Sequence, residues 1–335
     1  MARNIETVKP RRALLMGALS TVGDVEVLHQ VTRRLRDLGV PFEVAPFSKR
    51  RTEMFDEWVD VSTLDPRDYS HVVFVCGPLT RKMMEKRWET LRHFEHCAFI
   101  GVNLTMVADL EAFNPFDALI ERDSNRVTRP DLSFLQEEPR VPVLGLCLVD
   151  SQREYGSRQR HAKAKDLLEG LIRRSGAACI EIDTVLAPNR QQHVENGFYN
   201  AAQFESAVAR VDVLLTTRLH GTVLALKNGV PAISIDAVLG GDKVSRQTRE
   251  IGWEEVFEAD SVTEEELDRA LERCLLPDAR ERARACADHA RNSLANFDAG
   301  FSSAMSVLPD PALRSGLRSR QGLVRKFRSL LTKAR

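Results

Sequence analysis

Short apolar runs alternate along this chain with segments whose apolar residues recur at helical spacing, and that alternation restricts the fold more than any other feature. The run "VDVLLTT" (211–217) is followed by a helix-like segment from Leu219 to about Asn228, then by "PAISID". "ALLMGAL" (13–19) precedes an amphipathic segment, Asp24–Leu38, with Val27, Leu28, Val31, Leu35 and Leu38 on one face and Gly39 as its stop. "PFEVAPF", "HVVFVCG" (71–77), "AFIGVNLT" (98–105) and "DALIERD" (117–123) read as further strands, with a helix near Thr80–His93. After a polar, proline-bearing stretch around 130–140 the pattern restarts with "VPVLGLCLVD" (141–150). A helix near Gln159–Ser175, the run "ACIEID" (178–183), a helix near Ala201–Arg210 and helical segments over 263–275 and 278–297 complete it. Strands buried on both faces and joined by helices form parallel sheets from βαβ units.

The expected fold is therefore α/β: two Rossmann-like domains with parallel sheets facing a cleft. The expected boundaries are 12–138 for the first domain and 139–300 for the second, with a tail over 312–335. No internal repeat is strong enough to indicate duplication. A length of 335 residues suits two domains. With 43% hydrophobic and 29% charged residues the composition is that of a globular protein.

Several function classes are disfavoured. Lys+Arg and Asp+Glu balance at 48 each, and aromatic residues make up only 6%, so nothing global points to nucleic acid. The N-terminal "MARNIETVKPRRALLMGAL" places basic residues before a short apolar run, but no small-residue cleavage site follows, and Ala13–Leu19 reads as the first strand. No run approaches the roughly 18–20 apolar residues of a spanning helix. Six cysteines without a CxxC pair, several inside apolar runs, fit a reduced, cytoplasmic setting. His93, His96 and Cys97 in "HFEHC" have no further ligands nearby, so no metal site is expected. His161 and His193 stand alone and are expected at the surface.

In parallel α/β sheets ligands bind beyond the carboxyl ends of strands. Arg218, Leu219 and His220 occupy the turn between "VDVLLTT" and the next helix, where free helix N–H groups attract anions. Gly221 permits close backbone approach. Arg218 supplies a planar fork for carboxylate or phosphate, and His220 a group able to move a proton near neutral pH. The same spacing also fits a structural ion pair for Arg218 and a satisfied histidine at a helix start.

The stretch "TTRLHGTVLALKNGVPAISID", followed by "GDKVSRQTREIGW", resembles the signature region of the polysaccharide pyruvyl transferase family. Arg218, Leu219, His220, Gly221, Gly229, Val230, Pro231 and Lys243 match in order, and "EIGW" stands where the family has Leu-Gly. Weaker likeness extends to "MGALSTVGDVEVL", through Gly23 and Asp24, and to "ERDSNRVTRPDLSF", through Arg122, Asp123, Pro130 and Asp131. The chain departs from the pattern in "LSTVGD", which is poor in glycine, and after "VFVCG", where only Gly77 remains of a glycine run.

The resemblance implies a GT-B-like fold and transfer of the pyruvyl unit of phosphoenolpyruvate, a co-substrate rather than a cofactor, onto two hydroxyls of a glycan. It implies that Arg218 and His220 contact the donor, with Leu219 contributing through its backbone. In that chemistry His220 is the acid, or else the phosphate binder that assists departure, and Lys243 a second phosphate contact. Arg153 and Arg158 follow the strand "VPVLGLCLVD" and are expected to reach the same cleft. On the first domain Gly23 and Asp24 are acceptor-side candidates, although an Asp at a helix start needs no ligand to explain it. The alternatives are a nucleotide-sugar glycosyltransferase on the same fold, which would show an acidic ribose-binding residue near the second-domain cleft, and a non-catalytic glycan-binding relative.

From Leu313 to Arg335 the chain carries eight Lys/Arg and no Asp/Glu. Leu323, Val324, Phe327, Leu330 and Leu331 share one helical face. This pattern predicts peripheral contact with an anionic membrane surface, at the inner face for a cytoplasmic protein. A disordered or self-docking tail has the same composition.

Overall fold

The structure, a computed structural model, describes residues 11–186 and 197–310. The tail and His193 lie outside the described residues. The chain divides into two compact units after Pro139. Each unit contains one five-stranded sheet in which every pairing is parallel.

The first unit holds β1 (Ala13–Gly17), β2 (Phe42–Pro46), β3 (His71–Leu79), β4 (Ala98–Met106) and β5 (Ala118–Ile120), in the order β2-β1-β3-β4-β5. The second holds β6 (Val143–Cys147), β7 (Ala178–Glu181), β8 (Val213–Thr216), β9 (Ala232–Asp236) and β10 (Val256–Glu258), in the order β10-β9-β8-β6-β7. The two orders are the same when each unit is counted from its own first strand, a likeness of topology that the sequence does not carry as a repeat. In both, the chain leaves the first strand in one direction and later returns to its other side, which opens a crevice at the carboxyl ends of the first and third strands.

Burial explains why the strands read as unbroken apolar runs. Every residue of β1, β8 and β9 is buried. In the first unit Leu14 and Phe74 pack on one face of the sheet, and Leu15 and Val73 on the other. In the second, Leu215 and Ile233 pack on one face and Leu214 and Ala232 on the other.

The helices follow the periodicity closely where the apolar stripe is long. Helix α1 (Val22–Asp37) starts at a reciprocal cap: Thr21 Oγ1 accepts from the Asp24 N–H, and the Asp24 carboxylate accepts from the Thr21 N–H. The helix expected near Thr80–His93 is broken instead into α2 (Arg81–Glu85), α3 (Trp88–Leu91) and a 3₁₀ turn. The break lies at Arg87. Its guanidinium stacks over Phe47, 4.1 Å from the ring centroid, and Nη1 takes the Met83 carbonyl that a continuous helix would offer to the Arg87 N–H. That N–H turns to Met84. The second unit adds α4 (His161–Ser175), α5 (Ala201–Val208), α6 (Leu219–Lys227), α7 (Lys243–Glu250), α8 (Glu264–Cys274), α9 (Ala279–Ser293) and α10 (Phe297–Met305). Strand β10 and helix α10 were not anticipated. The first is too short to show alternation, and the second buries none of its residues.

His161 is a correction. It is buried at the start of α4 rather than exposed, with its Nδ1 unpartnered among the described residues, and burial lowers its pKa. None of the six cysteines, all among the described residues, forms a disulfide. Among the described residues no helix is long and apolar enough to cross a membrane, and no cluster of three metal-ligating side chains occurs.

The carboxyl edge of the first sheet is held by a polar network. Arg122 Nη1 lies 2.6 Å from Asp131, its Nε 2.9 Å from Asp123, and Asn103 Nδ2 donates to Asp131 at 3.0 Å. Burial alone would raise the Asp131 pKa, but hydrogen bonds from the Ser133 N–H, Arg122 and Asn103 outweigh it and hold the carboxyl at about 2, against 3.8 for a free aspartate. A depressed folded-state pKa contributes stability that is present above the unfolded value and lost as pH falls through the folded one. Asp131→Asn is therefore expected to lower first-unit stability by about 1–3 kcal/mol at neutral pH. The deficit relative to wild type should shrink as pH falls from 3.8 towards about 2. Urea unfolding across that range measures it, and a deficit independent of pH would remove the Asp131 charge from the account.

Candidate functional site

Two threonines close the switch point of the second sheet. Thr216 Oγ1 donates to the Cys147 carbonyl at 2.7 Å, and the Thr217 N–H reaches the same carbonyl at 3.2 Å. Thr217 Oγ1 accepts from the Val149 N–H at 2.9 Å, and Thr216 Oγ1 accepts from the Arg218 N–H at 2.9 Å. The ends of β6 and β8 are thereby stitched together, and the turns that follow them diverge around a recess of about 210 Å³. Val149, Gln152, Thr184, Thr217, Arg218, Leu219, His220 and Lys243 line it.

Arg218 is the residue before α6, in extended conformation, and no side chain caps that helix. Its first-turn N–H groups belong to Leu219, His220 and Gly221, at the recess end of the helix. The Arg218 guanidinium is held from behind. Nε donates to the Leu148 carbonyl at 2.6 Å, and Nη2 lies 3.1 Å from an Asp183 carboxylate oxygen. Both readings of Arg218 are thus present together: it makes a structural ion pair and it lines the recess. His220 is exposed and lines the recess beside it.

Lys243 comes from a different element. It opens α7, and the start of that helix is set by Asp236, a carboxylate 1% exposed at the end of β9. Asp236 accepts from the N–H groups of Val238 (3.2 Å), Asp242 (2.7 Å) and Ser245 (2.9 Å), which bends the chain from β9 back towards the recess. The Lys243 ammonium lies 5.7 Å from the centroid of the Tyr155 ring. The Tyr155 phenol hydrogen-bonds the Asp242 carboxylate, which pushes the phenol up to about 12. Sequence reasoning missed Asp183, Asp236, Tyr155, Gln152 and Thr184. Asp236 had a visible signal, an acidic residue ending an apolar strand. The others carry none, because only the sheet order brings them to Arg218 and Lys243.

The remaining expected residues lie elsewhere or act otherwise. The Arg158 guanidinium donates to the Leu239 carbonyl through Nε (3.3 Å) and Nη2 (3.0 Å), and Arg153 is exposed; neither lines the recess. Gly221 is buried and helical, and it is needed for packing. A Cβ there would meet Thr216 Oγ1 at 2.4 Å and Cys147 Sγ at 3.4 Å. In the first unit, Asp24 Oδ2 accepts from the N–H groups of Ser20 and Thr21, bonds that serve the helix start. Burial works to raise the Asp24 pKa, but these bonds and one from Cys76 bring it below the usual value. Gly23 lies in the first turn of α1, where a Cβ would find only Thr21 Oγ1, at 3.9 Å.

Residues 130–237 match the family model of polysaccharide pyruvyl transferase. This segment is a polysaccharide pyruvyl transferase domain. It begins at Pro130, beside the Asp131 network, and ends one residue past β9, so it contains Arg218 and His220 but stops short of Lys243. The family is one of transferases. No curated protein sequence matches the chain.

Similar solved structures include the glycotransferase of kitacinnamycin (8% identity, 88% of this chain and 99% of that one, TM-score 0.33). The UDP-GlcNAc 2-epimerase from Methanocaldococcus jannaschii is another (11% identity, 84% and 99%, TM-score 0.29). The spinosyn forosaminyltransferase SpnP is a third (16% identity, 84% and 95%, TM-score 0.30). At these scores the likenesses carry no inference about substrate.

The Gly221 packing is testable. Alanine gains about 1 kcal/mol over glycine in helix propensity, yet the Thr216 contact forces buried atoms apart, at about 1–3 kcal/mol. Gly221→Ala should therefore lower the urea midpoint of the second unit, and Thr216→Ala should relieve the loss in the double variant. Equal losses in both backgrounds would refute the contact.

Proposed function

We propose that the chain transfers the pyruvyl unit of phosphoenolpyruvate onto two hydroxyls of a glycan, releasing phosphate. The observation that carries the reading is the recess at the second switch point, where Arg218, His220 and Lys243 converge from two helix starts. The donor brings a carboxylate and a phosphate, and the recess offers two permanent cations and an uncapped helix start for them.

Each residue then has a distinct task. Arg218, braced by Leu148 and Asp183, offers its other N–H groups to the donor's carboxylate or phosphate. Lys243 takes phosphate. His220 delivers a proton to the donor's methylene carbon, which becomes the methyl group, and the positive charge develops on C2 as one hydroxyl attacks. Phosphate departs with the C2–O bond pair, the second hydroxyl closes the ketal, and the two hydroxyl protons end on the methyl group and on phosphate. Charge neutralisation by Arg218 and Lys243 strengthens as phosphate leaves, which makes it useful to the transition state rather than to binding alone. We place the acceptor on the first unit. Among the described residues, those other than glycine with left-handed backbone are Leu19, two residues past β1, and Cys76 and Asn103, within the carboxyl halves of β3 and β4; such strain commonly accompanies a site.

The size and lining of the recess favour this donor over a nucleotide sugar. At about 210 Å³ it is smaller than the roughly 300–1,000 Å³ of sites for drug-sized ligands. Among the described residues that line it none is acidic, so none of these supplies the ribose contact that a nucleotide sugar needs.

The test is turnover with phosphoenolpyruvate and a panel of lipid-linked and nucleotide-linked sugars, following phosphate release and acceptor mass. His220→Ala should lower kcat by about 10²–10⁴-fold. Arg218→Ala should lower it by about 10²–10³-fold. Release of a nucleoside diphosphate from a nucleotide sugar, without phosphoenolpyruvate, would replace this reading. Tyr155→Leu removes both the ring beneath Lys243 and the bond to Asp242, and should raise KM for phosphoenolpyruvate several-fold with kcat little changed. Tyr155→Phe keeps the ring and should show a smaller effect. Equal KM values in wild type and Tyr155→Leu would exclude Tyr155 from holding Lys243.

A further inference from the structure

Helix α10 presents an apolar face that nothing among the described residues covers. Phe297, Phe301 and Met305 recur at helical spacing, are 63%, 56% and 71% exposed, and the two phenyl rings stack with centroids 6.1 Å apart. Leu294 before the helix and Leu308 after it, 64% and 85% exposed, extend the stripe. A stripe of this length exposed to water marks a contact surface. The rest of the helix is unlike an ordinary surface helix. Between Phe297 and Met305 the other residues are alanine, glycine and serine, with Asp298 as the one charge. Bulky apolar groups on one face and small, weakly polar ones on the other suit a helix lying in a lipid interface, where the apolar face replaces water with acyl chains.

The chain beyond the helix selects among occupants. Residues 311–335 contain eight Lys/Arg and no Asp/Glu. Two copies joined through α10 would each carry such a segment, and charge of one sign on both disfavours their association. An anionic leaflet attracts the same charges and holds them within a Debye length of the surface. We infer that α10 inserts its Phe297–Phe301–Met305 face into an anionic lipid surface, with the basic segment after it supplying the electrostatic attraction. The inference stands apart from the transferase reading, because lipid binding is measured without donor or acceptor.

The experiment is co-sedimentation of the full-length protein with vesicles of phosphatidylcholine mixed with phosphatidylglycerol, and with phosphatidylcholine alone. Binding is expected with the anionic vesicles and should fall as salt rises. Replacing both rings, Phe297→Ser with Phe301→Ser, should weaken it at least about tenfold. Both positions are exposed, so the fold should survive, which circular dichroism checks. In Phe301→Trp, lipids brominated in their acyl chains should quench the added fluorescence. Vesicle binding unchanged by the double substitution and no quenching at position 301 would assign binding to the basic segment alone and overturn the role of α10. A concentration-dependent dimer that the double substitution dissolves, with no vesicle binding, would overturn it in favour of a second copy.

Discussion

The hydrogen bonds from Thr216 and Thr217 to the end of β6 are the contacts on which the site depends. They fix β8 beside β6 at the point where the chain reverses its direction of travel across the sheet. Once that pairing is set, the Arg218 side chain reaches the Leu148 carbonyl, α6 starts at the recess, and Gly221 must be small because the helix rests directly on Thr216. The positive character of the turn is a consequence of strand order and of helix N–H groups without a cap, to which side chains add charge.

A second device serves the same recess from the other side. Asp236 is buried, yet it accepts three backbone hydrogen bonds, so its cost of burial is offset by bonds that neutral side chains could not all provide. Those bonds determine where α7 begins and therefore where Lys243 stands. Tyr155 then supports Lys243 from the turn after β6, so that each cation of the recess is braced by groups outside it. Asp183 does for Arg218 what Tyr155 does for Lys243, with the difference that the carboxylate also offsets part of the guanidinium charge. In the proposed reaction the donor meets a cation already oriented, at the expense of some attraction.

The first unit has the same strand order and a different chemistry at its carboxyl edge. Its polar groups are largely engaged with one another: Asp131 with Arg122 and Asn103, Asp24 with the start of α1. Its distinguishing feature is left-handed backbone at Leu19, just past β1, and at Cys76 and Asn103, within the carboxyl halves of the adjacent strands β3 and β4. The family match covers only the last ten residues of this unit.

The alternation of buried strands and amphipathic helices is a local property, so the sequence by itself determined the α/β class, the place where the pattern restarts and the turn that carries Arg218 and His220. Strand ends and helix starts were displaced by a few residues at most, except near Arg87, where a stacking contact with a distant phenyl ring broke a helix that periodicity made continuous. Only the tertiary structure decided which residues accompany the turn. Asp183, Tyr155 and Lys243 come together because β6 and β9 flank β8, with β7 beyond β6, in one sheet, and sheet order is a matter of long-range pairing that no local spacing encodes. For the same reason Arg158 was expected in the recess and is found on the Leu239 carbonyl, and His161 was expected in water and is found buried. A side chain's type follows from the sequence, but its partners depend on which distant segment the fold brings alongside.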